Sequence, residues 1–320
     1  MHDSVSVSVG PHPSVLVPFR FQVGERTLLT VRRNLVTYQY SLADILNDAG
    51  PAIPALPSDA EGIIVRSLPA ARVGGLRDLA EGALVYVRQE YPRYYMRLDT
   101  SYEAYLACFS AKTRSTLKRK VRKFETLSDD GRLDIREYRT VSELEQFHTF
   151  AREVSRKTYQ ERLLGSGLPD SESHLAEMRR LAAADSVRAW LLFLNGQPVS
   201  YLYTPIRDGS VLYDYLGYDP AFASYSPGTV LQLEALERLM AEGGHRLFDF
   251  TEGEGAHKKL FATGSVDCAD VVVLRATLAN AGLIRAHRHF HALVEAAGRQ
   301  TERLGLKAKL KRWLRHGGEP

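Results

Sequence analysis

Residues 225–261 read YSPGTVLQLEALERLMAEGGHRLFDFTEGEGAHKKLF, and this stretch decides the fold. Its first residues open an apolar helix, a short strand of alternating character follows at 247–250, and a glycine-rich turn ending in His257 and Lys258 closes it. Ser226 suits a helix N-cap. Pro227 suits the first turn, where its missing N–H would be unpaired anyway, and Gly228 lets a ligand come close to the backbone. Unpaired N–H groups over residues 226–230, with the positive end of the helix dipole, make a place for phosphate oxygens. The same tetrapeptide can also simply start a buried helix, so its neighbours must decide.

Working outward, residues 187–194 turn at Asn195-Gly196, a strong hairpin signal, into a strand over 198–206. That strand turns at Asp208-Gly209 into a third over 211–218. Ahead of these lie a strand over 133–138, a helix from about Ser142, a loop at 165–169 and a helix over 171–184. Behind them come the helix over 227–241, with Leu231, Ala235, Leu236, Leu239 and Met240 on its buried face, the strand over 247–251, a short helix over 256–261 and a strand over 266–274. The N-terminal stretch reads as strands at 15–23, 27–35, 63–65 and 83–87, with a proline-rich loop at 51–57. It is followed by a basic helix in which Leu117, Val121 and Phe124 form one apolar stripe.

The chain has 320 residues, of which 44% are hydrophobic, enough for two domains with real cores. No stretch reaches the eighteen or more apolar residues of a membrane-spanning helix, and residues 1–13 lack a basic region followed by an apolar one, so a cytoplasmic protein is expected. Cys108 and Cys268 lie far apart in apolar settings, which predicts buried reduced thiols and no disulfide framework. The formal charge of +4 is concentrated in two clusters, one over 112–123 and one over 307–315. These are local features of a chain that is not globally basic. No Walker A sequence is present, and Gly253-x-Gly255 lacks the third glycine and long helix of a dinucleotide site. His287 and His291 stand one helical turn apart without a third ligand, so no metal is predicted.

The element order and residues together resemble the GNAT acyltransferase superfamily. Ser226-Pro-Gly followed by Asp249-Phe250-x-x-Gly253-x-x-x-His257-Lys258 is most similar to the bacterial branch associated with polysaccharide biosynthesis, related to the tandem FemABX aminoacyltransferases. The similarity runs from about Phe109 to Leu274, and the basic helix with Arg114 also fits it. His257 stands where the branch usually has tyrosine, and the pyrophosphate loop is reduced to Tyr225-Ser-Pro-Gly-Thr.

The resemblance implies an α/β (α+β) GNAT fold, a mixed, mostly antiparallel sheet flanked by helices, built as two GNAT-like units. The expected boundaries are a diverged N-terminal unit over 1–128 that ends in the basic helix, the acyltransferase domain over 129–276, and basic amphipathic helices over 277–320. It further implies transfer from acetyl-CoA or another acyl-CoA to an amine or hydroxyl of a small-molecule, sugar or cell-envelope precursor. The strands at 211–218 and 247–251 should splay to make the cleft for the thioester. Catalysis there needs a deprotonated acceptor, a polarised thioester oxygen and a proton for the leaving thiolate.

Tyr225, Ser226, Pro227, Gly228, Thr229 and Val230 are therefore the expected cofactor-binding residues. Asp249, alternating with Phe248 and Phe250, is a candidate base and equally a structural carboxylate capping the turn after it. His257 is a candidate proton donor, with a hydrogen-bonded structural histidine as the plain alternative. Lys258 can neutralise phosphate or orient a carboxylate. Tyr213 and Tyr215, expected on one strand face with Asp214 on the other, are candidates for acceptor binding and, for Tyr215, the acid. Arg114 and the basic helix can attract an anionic acceptor. No aromatic residues are interleaved with that cluster, which argues against a dedicated nucleic-acid module. Leu306, Leu310, Trp313 and Leu314, set among lysines and arginines, can lie on an anionic membrane surface or pack on the protein itself. Two other readings stay open: aminoacyl transfer from tRNA, and a catalytically inactive scaffold.

Overall fold

The structure, a computed structural model, describes residues 14–24, 26–48, 60–79, 82–158, 161 and 167–303. The chain divides into two compact units, one formed by Met1–Tyr91 with Asp267–Pro320 and the other by Pro92–Val266. The proline-rich loop at 51–57 and the stripe of Leu306, Leu310, Trp313 and Leu314 lie outside the described residues.

In the first unit β1 (Ser14–Val23) pairs antiparallel with β2 (Arg26–Gln39), and β2 pairs parallel with β3 (Gly62–Pro69). β3 in turn pairs antiparallel with β11 (Gly264–Arg275). Gly62 permits that last pairing, since a Cβ there would stand 2.3 Å from the carbonyl oxygen of Val273. α1 (Leu42–Leu46) starts at Ser41, whose side chain and that of Asp44 form a reciprocal capping box. α2 (Val73–Leu79) and β4 (Ala83–Arg97) follow, and α9 (Leu278–Arg303) returns at the end of the chain. Leu283 and Ile284 of α9 join Phe19, Leu35, Ile64 and Val272 in one core.

The second unit begins within β4 and ends within β11. It contains α3 (Tyr102–Ala107), α4 (Ala111–Glu125), β5 (Asp134–Tyr138), α5 (Val141–Ser155), α6 (Glu172–Ala183), β6 (Val187–Leu194) and β7 (Gln197–Arg207). β8 (Ser210–Leu212), β9 (Tyr215–Tyr218), α7 (Pro227–Glu242), β10 (Leu247–Asp249) and α8 (Ala256–Phe261) complete it. β5, β6, β7 and β8 pair antiparallel in succession, β8 pairs parallel with β10, and β10 pairs antiparallel with Tyr95–Arg97 of β4. This is a mixed α+β fold with mostly antiparallel pairing and flanking helices, as the element order predicts. The turns at Asn195-Gly196 and Asp208-Gly209 have positive φ at both positions, as two-residue hairpins require.

The compact units divide at 91/92 and 266/267, away from the expected domain boundaries at 128/129 and 276/277. The reason is that Leu117 and Phe124 of α4, with Met96, Leu98 and Tyr105, share a core with α7. The strand expected over 211–218 is two strands, broken at Tyr213-Asp214. Cys108 is exposed rather than buried, while Cys268 is buried as expected and both are free. Among the described residues no helix is long and apolar enough to cross a membrane.

Candidate active site

The break at Tyr213-Asp214 creates the site. β8 pairs with β10 only over Ser210–Leu212, the Tyr213 N–H adds one bond to the Asp249 carbonyl at 2.9 Å, and beyond it β9 pairs with β7 alone. The two neighbouring strands therefore part after Tyr213. The Asp219 N–H donates to the Val199 carbonyl at 2.8 Å, which fixes the hydrogen-bonding alternation of β9. Tyr215 and Gly217 bond towards β7, leaving the amides of Leu216 and Tyr218 turned to the open edge. Gly217 is required because a Cβ there would sit 2.4 Å from the Tyr201 ring.

Helix α7 starts beside that edge. Ser226 is the N-cap residue of α7 as expected, but with φ 55° and ψ 48° it is left-handed and its side chain makes no capping bond. Its N–H donates to the Ala223 carbonyl at 3.1 Å, and Thr229 and Val230 both donate to the Ser226 carbonyl, at 2.9 and 3.1 Å. Pro227 has no N–H. The expected grip by amides over 226–230 thus reduces to Gly228, the one whose N–H lacks a main-chain acceptor among the described residues. Gly228 is also buried, and a Cβ on it would meet Leu216 Cδ2 at 2.9 Å, so the glycine lets α7 pack on β9.

Cations from α4 add to this helix start. Lys120 Nζ lies 3.4 Å from Thr229 Oγ1. Lys123 Nζ donates to the Ser224 carbonyl at 3.1 Å and sits 4.6 Å from the centroid of the Tyr225 ring. The basic helix is therefore two-sided. Lys120 and Lys123 face the start of α7, while Arg114, Lys118, Arg119 and Arg122 line a shallow groove on its other side. Arg114 is partly committed there, donating to the Phe109 carbonyl at 2.5 Å.

At the other side of the parting, Asp249 is fully buried and paired with Arg93, which donates through Nε to Oδ1 at 3.2 Å and through Nη2 to Oδ2. Oδ1 also accepts from the Thr251 N–H at 2.8 Å. Both oxygens accept hydrogen bonds, which matches the structural alternative for Asp249, a carboxylate that caps the turn after it. Arg93, buried on β4 and 156 residues away, escaped the sequence reading. Its one signal is an arginine flanked by Tyr91, Tyr94 and Tyr95 on one strand.

Tyr213 and His257 meet: Tyr213 Oη lies 3.2 Å from His257 Nε2. Burial lowers the His257 imidazole below its ordinary range, and neighbouring Lys258 lowers it further. Burial raises the Tyr213 phenol. At neutral pH the pair is a neutral imidazole and a protonated phenol, so the proton available at this point is that of Tyr213. Lys258 donates to the Glu252 carbonyl at 2.7 Å, and burial holds its ammonium below the ordinary value.

Tyr215 is not part of this cluster. Its ring packs 5.8 Å from His174 and 6.3 Å from Tyr203, in the core that includes Phe147 and Met178, whereas Tyr213 belongs to the core of Phe248 and Phe250. The expectation that both tyrosines share a face fails because the strand break resets the alternation.

Asp214, named in the sequence only as the residue between the two tyrosines, lies at the strand break. Its side chain reaches solvent, but crowding by the surrounding protein desolvates the carboxylate and pushes the carboxyl up to about 6, with Arg207 opposing and Asp249 reinforcing the shift. A parted strand pair, an edge of amides, a cationic helix start, a carboxyl of raised pKa at the break and a buried phenol paired with an imidazole form an arrangement suited to moving an acyl group.

Residues 111–259 match the family model described as acetyltransferase (GNAT) domain. Over this segment the chain is similar to a GNAT domain. Solved structures with a similar fold include FemX, at 12% identity over 82% of this chain and 88% of that one with a TM-score of 0.52. Two more are a conserved protein of unknown function from Bacteroides thetaiotaomicron (14%, 77% and 78%, 0.49) and the C-terminal domain of a lysylphosphatidylglycerol synthetase from Agrobacterium fabrum (11%, 71% and 72%, 0.48). No curated protein sequence matches the chain. Among the described residues no group of histidine, cysteine and acidic side chains could hold a metal ion.

Proposed function

We propose that the GNAT domain transfers an acyl group, most simply acetyl, from acyl-CoA to an amine or hydroxyl of a small-molecule, sugar or cell-envelope precursor. The observation that carries this reading is the parting of β9 from β10 immediately beside the start of α7, where the Gly228 N–H, Lys120 and Lys123 meet. These groups would hold the cofactor's diphosphate. The open-edge amides of Leu216 and Tyr218 would receive the pantetheine arm and polarise the thioester oxygen. Asp214, with its raised pKa, would take the acceptor's proton, and Tyr213, oriented by His257, would protonate the departing thiolate.

Isothermal titration of the full chain with acetyl-CoA tests the donor. Binding that weakens at least several-fold in a Lys120→Ala/Lys123→Ala variant supports the reading, and no heat at millimolar acetyl-CoA contradicts it. The groove of Arg114, Lys118, Arg119 and Arg122 favours a second reading, aminoacyl transfer from tRNA. Steeply salt-dependent binding of aminoacyl-tRNA without any acetyl-CoA binding would select it.

A further inference from the structure

The first unit carries a cluster of cations that acyl transfer does not use. A concavity of about 350 Å³ is lined by Arg77 of α2, Tyr86 and Arg88 of β4, and Arg288, His291 and Glu295 of α9. Its carboxylate, Glu295, lies 3.7 Å from Arg299, on the same helix. Asp270, the nearest buried acid, is held by Ser67, Tyr91 and Gln89, with Arg66 at 3.8 Å. Arg77, Arg88 and Arg288 therefore have no ion-pair partner among the described residues.

Aromatic rings and a histidine pair shape the pocket. The Arg288 guanidinium lies 5.7 Å from the Tyr86 ring centroid, and that of Arg88 lies 5.8 Å from Phe19. Tyr86 Oη is 2.7 Å from His287 Nδ1, and His287 Nε2 is 3.2 Å from His291 Nε2, so His291 is held in place at the pocket wall. Burial, then the neighbouring Arg66, holds the Arg88 guanidinium below its ordinary pKa. Arg20 also disfavours its charge while Asp270 favours it, and a bound oxyanion would add to the favourable side. Guanidinium forks match phosphate oxygens in pairs.

We propose that this pocket is an anion site for a phosphate group, carried by a soluble phosphorylated molecule or by a phospholipid headgroup. The site is independent of the acyl-transfer reading, because all of its residues lie in the first unit.

The test is titration of the full chain with inorganic pyrophosphate, comparing the unmodified protein with Arg88→Gln/Arg288→Gln and with Lys120→Ala/Lys123→Ala. A binding component that persists in the lysine variant and weakens at least tenfold in the arginine variant is the expected result. The single variant Arg77→Gln, at an exposed position, guards against misfolding and should weaken the same component several-fold with an unchanged melting curve. Sedimentation with phosphatidylglycerol vesicles, using phosphatidylcholine vesicles as control, separates the two sources. Vesicle binding lost with the arginines assigns a headgroup, and its absence alongside pyrophosphate binding assigns a soluble ligand. Identical pyrophosphate isotherms in the unmodified, Arg77→Gln and folded Arg88→Gln/Arg288→Gln proteins would overturn the proposal.

Discussion

Two aspartates at the parting strands divide the labour that sequence alone would give to one. Asp249 is buried against Arg93, and removing one partner of such a pair leaves the other charge without compensation. Asp249→Ala should destabilise the protein by about 3–5 kcal/mol, measured by urea denaturation. A loss of activity with unchanged stability would instead return Asp249 to a catalytic role. Asp214 behaves in the opposite way. Acting as a base it must be ionised, so the acyl-transfer rate should rise with pH through about 6, and Asp214→Asn should abolish that limb. Its folded-state pKa lies above the unfolded value. The group therefore favours folding at low pH, and this contribution is lost as pH rises through about 6. Asp214→Asn should accordingly flatten the pH dependence of stability in that window, and a steeper one would contradict the assignment.

At the scale of elements, α7 and β9 are locked together by a glycine. A valine at position 228 would overlap Leu216 and press on Tyr218, so Gly228→Val should cost about 1–3 kcal/mol of stability as well as weaken cofactor binding. Thermal melts beside acetyl-CoA titrations would separate the two effects. Much of the architecture is legible locally. Asn195-Gly196 and Asp208-Gly209 fix two hairpins by turn chemistry, and residues 256–261 are helical as read. The break at Tyr213-Asp214 carries no local signal, because Val211 through Tyr218 has the composition of one continuous strand. β8 pairs with both β7 and β10 whereas β9 pairs with β7, and the break places Tyr215 in a different core from Tyr213. The bond of Arg93 to Asp249 spans 156 residues, beyond the reach of any local pattern.

For the whole molecule, the two compact units predict which fragments stand alone. A fragment of residues 129–276 lacks α4, Met96, Leu98 and Tyr105, all of which pack in the core around α7. It should give no cooperative thermal transition by circular dichroism, whereas residues 92–266 should give one. Equal cooperativity in the two fragments would mean that α4 is an accessory to the GNAT domain. The charge distribution follows the same division. The lysines at the start of α7 belong to the second unit and the arginine pocket to the first, so the two proposed anion sites fall in different units of a chain of modest net charge.

The account rests on the start of α7 and the parted strands receiving a coenzyme A thioester. Calorimetric titration of the full chain with acetyl-CoA, set beside the Lys120→Ala/Lys123→Ala variant, addresses this most directly. Saturable binding that weakens several-fold in the variant, with melting temperatures unchanged, is the predicted result. Absence of binding at millimolar acetyl-CoA, or equal affinity in both proteins, would contradict it.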